Sequence, residues 1–157
     1  MRRKDREVTD FGELRSILNA CKTCHLAMVD HGRPYVIPLS YAYTLEGGVL
    51  TLIFHSAPEG RKIDILRENA SVCFEMCHEG DLFFSEDTPC SSACFYESVH
   101  GFGQAQFIED DAEKCAALTL LMKHQTQADI PFTPAQAERV CLFQVVSESF
   151  TGKRKAR

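Results

Sequence analysis

The sequence predicts a mainly β chain, a small antiparallel barrel with peripheral helices, and three observations carry that prediction. Six short apolar runs, each closed by turn residues, recur along the 157 residues. Helical spacing is confined to stretches near the start, in the middle and before the last run. The composition is that of one globular domain, with 45% hydrophobic and 25% charged residues, and residues 1–157 are read as that domain without linker or repeat.

The elements follow in order. Asp10 and Glu13 form a helix start, and Phe11, Leu14, Ile17, Leu18 and Cys21 recur at helical spacing, so the first helix ends near Cys21. His25 to Val29 is a strand closed by Asp30, Gly32 and Pro34. From Tyr35 to Tyr43 a second strand carries Tyr35, Ile37, Leu39, Tyr41 and Tyr43 on one face and the small Val36, Pro38, Ser40 and Ala42 on the other. Pro38 removes a ladder donor and implies an edge or an irregularity. Gly47 and Gly48 turn the chain into the strand Val49 to Phe54, and a loop leads to a helix carrying Arg61, Lys62, Ile63, Leu66 and Arg67. Ser71 to Cys77 is a strand, and the polar residues 78 to 92 form the long loop. Ala93 to Ile108 is one long strand or a bent pair, with Gly101 and Gly103 permitting a bend. Asp110 and Glu113 open a helix through His124, Thr133 to Gln136 caps a short one, and Val140 to Val146 is the last strand.

Charge and patterning exclude several functions. With 17 basic against 22 acidic side chains the net charge is −5, which argues against a nucleic-acid or membrane-surface partner. The basic run Lys153-Arg154-Lys155 reads as a solvated end. The charged residues after Met1 carry no apolar stretch, so no leader is expected, and no run reaches the roughly 18 apolar residues of a membrane span; a cytoplasmic location is expected. Eight cysteines in that reducing setting are read as thiols rather than a disulfide framework.

The best physical case for a site is the passage His55 to Lys62. A helix start offers unpaired N–H groups and the positive end of a dipole. Arg61 adds a planar fork, Lys62 a point charge and Gly60 room for close approach, together suited to a phosphate.

The phrases Arg6-Glu7-Val8-Thr9-Asp10, Gly32 to Tyr41, Phe54 to Lys62, Ser98 to Ala105, Leu121-Met122-Lys123-His124 and Thr151-Gly152-Lys153 occur in a characteristic order. From about residue 2 to residue 154 the chain resembles the pyridoxamine phosphate oxidase-like, FMN-binding split-barrel family, and within it the 5-nitroimidazole resistance branch. The resemblance implies a six-stranded antiparallel split barrel of Greek-key type and a homodimer holding FMN at the subunit interface. It implies that Val36, Ile37, Pro38, Leu39 and Ser40 lie along the isoalloxazine, partly through backbone groups. His55 and Ser56 then lie near the ribityl chain and phosphate, Arg61 and Lys62 bind the phosphate, and Tyr96, Ser98 and Val99 approach from the partner subunit. Pyridoxamine phosphate oxidases proper carry an Arg- and Trp-containing C-terminal segment. This sequence has no Trp, which points away from that activity.

Cys21-Lys22-Thr23-Cys24-His25 matches the C-x-x-C-H signature of haem attachment, but it runs from a helix end into an apolar strand, and no metal site is expected from it. Cys73 and Cys77, four apart on a strand, stand about 13 Å from each other and cannot share an ion. Cys90 and Cys94 remain open as ligands or a redox pair. His31 and His78 read as turn residues and His124 as a surface group at a helix end. His55 is the candidate catalytic residue: near-neutral titration suits it to donate a proton to a substrate, and hydrogen bonding to the cofactor is the alternative role. Two functions stand at this point. One is an FMN-dependent oxidoreductase that takes nitroaromatic or quinone-like molecules and electrons from an unidentified donor. The other is a flavin- or haem-binding sensing or storage module without a substrate of its own.

Overall fold

The Asp10 carboxylate accepts the Glu13 N–H at 2.9 Å and so opens the first helix, as its spacing to Glu13 predicts. The computed structural model describes residues 2–156; Met1 and Arg157, which bound the expected termini, lie outside the described residues. A 3-10 turn precedes strand β1 (Glu7–Val8) and helix α1 (Phe11–Ala20). Strands β2 (Thr23–Asp30), β3 (Arg33–Glu46) and β4 (Val49–Ser56) lead to helix α2 (Arg61–Glu68). Then come β5 (Ser71–Phe83), β6 (Ala93–Phe107), α3 (Asp111–Thr126), the short α4 (Pro134–Ala137) and β7 (Cys141–Lys155).

The strand order β1-β7-β4-β3-β2-β5-β6, together with a β6–β7 pairing, closes β2 to β7 into a six-stranded antiparallel ring. The predicted barrel is therefore present, and β1 is a short addition to β7, with Glu7 opposite Lys153. His31 and Gly32, at φ +47° and +82°, form the two-residue turn between β2 and β3, where positive φ at both positions matches the twist of the strands. Leu26, Phe54, Phe74, Val99 and Phe143 fill the barrel, joined by Leu14, Ile17 and Leu18 of α1 and Ile65 and Leu66 of α2. A second cluster lies outside the ring, where Ala117, Leu118 and Leu121 of α3 cover Ala42 and Ile53.

The wall of the ring parts along β3. β3 pairs with β2 from Arg33 to Ser40 and with β4 only from Tyr41 onward. The stretch Arg33 to Ser40 thus has a free edge on the side away from β2, and Pro38 lies within it, as its missing donor requires.

Two elements, β5 and β7, depart from the sequence reading, and β6 takes the first of its two expected forms. β5 continues to Phe83 because Cys77, His78 and Glu79 pair with Ser98, Glu97 and Tyr96 of β6, so His78 is a strand residue and not a turn. The ladder satisfies the backbone of this arm while both faces meet solvent, a situation that leaves no apolar alternation to read. β6 is a single strand whose register shifts between Phe102 and Gln104. The basic run Lys153 to Lys155 is not a free end: it is strand β7, and Arg154 pairs with Glu97 and, at 2.7 Å, with Glu13.

Candidate functional site

The alternation of β3 sorts the expected flavin-facing residues into two groups. Val36, Pro38 and Ser40 point outward and are exposed, whereas Ile37 and Leu39 turn inward and pack on the core. A flat group laid on this strand meets three small side chains and the free edge; Ile37 and Leu39 offer it backbone alone.

The same alternation separates His55 from Ser56. His55 is exposed on the outer face, where it lines a 370 Å³ groove with Ser40 of β3, Leu118, Leu121 and Met122 of α3, and Phe132. Gln125 closes the groove and is held in place, its amide donating to the Tyr41 carbonyl at 2.8 Å and the Lys22 carbonyl at 3.1 Å. Ser56 is buried, and its Oγ finds no hydrogen-bond partner among the described residues. A buried hydroxyl without a partner is costly and unusual, and marks a place where another group completes the structure.

Helix α2 starts at Gly60, whose φ of +128° favours glycine. No side chain caps this end. Ile63 and Asp64 return their N–H groups to the Gly60 carbonyl at 2.8 and 3.2 Å, which leaves the N–H groups of Arg61 and Lys62 without an acceptor in the helix. Lys62 is half-buried and makes no ion pair among the described residues. Arg61 is engaged: its Nε and Nη2 stand 2.8 and 2.7 Å from one oxygen of Asp30, and its guanidinium lies 4.6 Å over the Tyr35 ring. The free edge of β3 is therefore bounded by His55 and Ser56 at its Ser40 end and by Arg61 near its Tyr35 end.

Tyr96, Ser98 and Val99 do not join this group within one chain. They lie on β6, opposite β3 in the six-membered ring. Tyr96 and Ser98 face outward, with Lys153 5.4 Å from the Tyr96 ring. Val99 is fully buried, so its side chain belongs to the core.

His124 is the residue that sequence reasoning missed. It is buried rather than superficial, 4.9 Å from the Tyr41 ring and 5.5 Å from the Tyr43 ring. Burial, and after it the charge of Lys22, lowers its pKa, partly offset by the Cys21 carbonyl. Its place three residues after Leu121, on the face of α3 that buries Ala117, Leu118 and Leu121, is the signal that could have found it. The C-x-x-C-H motif also resolves into packing. Cys21 and Cys24 face the core, and desolvation pushes the Cys21 thiol up to about 11 and Cys24 higher still. All eight cysteines are free, with Cys77, Cys90 and Cys94 exposed. Among the described residues no group of three or more His, Cys, Asp or Glu is arranged to hold a metal ion, and no helix is long and apolar enough to cross a membrane.

A closed six-stranded ring with one wall parted along β3, and a basic helix start at the parting, defines a split β-barrel protein. The chain belongs to the pyridoxamine 5'-phosphate oxidase family, whose model matches residues 10–154. It is similar to the crystal structure of a candidate 5-nitroimidazole antibiotic resistance protein from Bacteroides thetaiotaomicron, at 31% identity and a TM-score of 0.81, over 94% of this chain and 86% of that one. The fold recurs in a flavocytochrome from Azotobacter vinelandii, at 19% identity and a TM-score of 0.80, over 100% of this chain and 72% of that one. It recurs again in a FAD-binding protein from Mesorhizobium loti, at 24% identity and a TM-score of 0.68, over 96% and 98% of the two chains. No curated protein matches the chain in sequence.

Proposed function

We propose that the protein binds FMN along the free edge of β3, as a homodimer, and reduces small nitroaromatic or quinone-like molecules there. The observation that carries this reading is the free edge of Arg33 to Ser40 on the side away from β2, small-sided and exposed at Val36, Pro38 and Ser40, and ending at His55. Its free N–H and C=O groups suit the donor and acceptor edge of an isoalloxazine. The start of α2 suits the phosphate, with two unpaired N–H groups, Lys62 and Arg61. The partnerless Ser56 Oγ supports the same placement. The flavin-binding proteins among the structural neighbours share the fold and are consistent with it.

Bound flavin supplies the electrons; the chain supplies position and proton. Leu118, Leu121, Met122 and Phe132 keep water from one side of the groove, and His55 stands at its mouth, where it can hand a proton to a reduced substrate. Within one chain the outer face at Val36 to Ser40 stays bare, and Tyr96 and Ser98 lie on the far wall. A second copy of the chain would cover the face and bring those residues to it.

Titration of the purified protein with FMN, FAD and riboflavin tests the reading. FMN is expected to bind far more tightly than riboflavin, and the Arg61→Ala, Lys62→Ala double variant to lose several kcal/mol, at about 1.5–3 kcal/mol per charged hydrogen bond. Equal affinity for FMN and riboflavin refutes the phosphate assignment, and tighter binding of FAD reassigns the cofactor. A monomer that holds protected flavin in sedimentation rejects the shared site.

A further inference from the structure

Away from the β3 edge, α1 and the last turns of α3 enclose a cleft of 280 Å³ lined by Arg15, Asn19, Tyr43, Lys123, His124 and Gln127. Arg15, Asn19, Lys123 and Gln127 form an exposed rim, and His124, at 9% exposure, is the floor. Among the described residues no Asp or Glu lines the cleft. The His124 Nε2 is buried and has no hydrogen-bond partner among the described residues. The neighbouring hydroxyls are already committed, Tyr41 to the Leu18 carbonyl at 2.8 Å and Tyr43 to Asn19 Oδ1 at 3.0 Å. With its Oδ1 so occupied, the Asn19 amide keeps its two donors for another group. Arg15 spends one Nη on the Leu45 carbonyl and keeps the rest of its fork. Lys123 is tied only to Asp129 at 3.1 Å, in a pair whose side chains are 59% and 66% exposed and which an incoming anion can replace.

We propose that this cleft binds a small oxyanion, a carboxylate or a phosphate, with Arg15 and Lys123 gripping it from the rim and His124 Nε2–H donating to it at the floor. Two positive side chains and an orphaned ring nitrogen around a cavity without carboxylates suit an anion and no other class of ligand. The groups that face the imidazole are Cys21 and Lys22 in the link between α1 and β2, Tyr41 and Tyr43 on β3, Arg15 on α1 and Lys123 on α3. None is an acid of ordinary strength, so the free imidazole stays neutral and the anion provides the counter-charge that lets it take a proton. Binding and protonation are thereby linked, and affinity rises as the pH falls.

Calorimetry of the full chain with inorganic phosphate and, separately, with acetate tests the site, in paired buffers of different ionisation heat. Saturable binding with proton uptake is expected for at least one of the two, and which one it is identifies the oxyanion. Arg15→Gln and His124→Phe, the latter keeping a ring between the tyrosines, are each expected to weaken it about tenfold or more. The side-chain ¹⁵N resonances of His124 in the unaltered protein give a readout that needs no variant, and they are expected to move to imidazolium values on saturation. Absence of saturable binding by both anions, or binding that leaves the His124 resonances unmoved, overturns the proposal.

Discussion

One oxygen of Asp30 is shared by Nε and Nη2 of Arg61, at 2.8 and 2.7 Å, and this pair ties the tip of the β2–β3 hairpin to the start of α2. The guanidinium that would hold a cofactor phosphate is therefore occupied by a carboxylate in the free chain. Asp30 competes with the phosphate for the same fork. Asp30→Asn is expected to tighten FMN binding, by up to about 1 kcal/mol, the usual worth of an exposed ion pair. Quenching of flavin fluorescence measures it, and weaker binding would show that Asp30 aims Arg61 instead of restraining it.

His55 and Ser56 are neighbours in sequence on opposite faces of β4, so their roles separate by mutation. His55→Ala is expected to leave FMN affinity within about 1 kcal/mol of the original, the scale of one neutral hydrogen bond. Substrate reduction should fall by about 10²–10⁴-fold, the range for a lost general acid. Flavin titration and single-turnover reduction of a nitroimidazole on the same preparation distinguish the two effects. Loss confined to affinity makes His55 a cofactor ligand.

Gly103 sits at the register shift of β6, where an added Cβ would lie 2.6 Å from Val145 Cγ1 and 2.6 Å from the Val146 carbonyl oxygen. The backbone oxygen cannot swing aside as a side chain can. Gly103→Ala is expected to destabilise the fold by about 1–3 kcal/mol, as overpacking does elsewhere, read as a lower urea midpoint with an unchanged slope. An unaltered midpoint would mean that the β6–β7 ladder yields there.

His124 makes stability depend on pH in a defined direction. Burial and Lys22 hold its folded pKa below the ordinary value, so between the two values the unfolded chain binds a proton that the folded chain does not. The stabilisation is complete above about pH 6.5 and is lost as the pH falls through the depressed value. The melting temperature is expected to drop over that window, and His124→Phe to reduce the slope. The same slope in the variant would assign the acid sensitivity elsewhere.

Much of the framework was legible in the residues. Asp10 caps α1 as expected, the two faces of β3 are divided as its alternation predicts, and the basic helix start stands where the strand-loop-helix pattern places it. Illegible were the arm of β5 beyond Cys77, which is exposed on both faces and carries no pattern of its own, and the far half of β7, whose polar residues are placed by pairing with β1 and β6, far away in the chain.

The sequence by itself determined the six strands, the helix starts and the family, since caps, turns and alternation act between residues a few positions apart. Closure of the ring decided the rest. It set the parity that sends His55 to the α3 groove and Ser56 to the interior, placed Tyr96 and Ser98 on the wall opposite β3, joined Arg61 to Asp30 and buried His124 between two tyrosines. Each of these depends on register and on contacts between residues far apart in the chain, and no local preference encodes a distance that only the closed barrel creates.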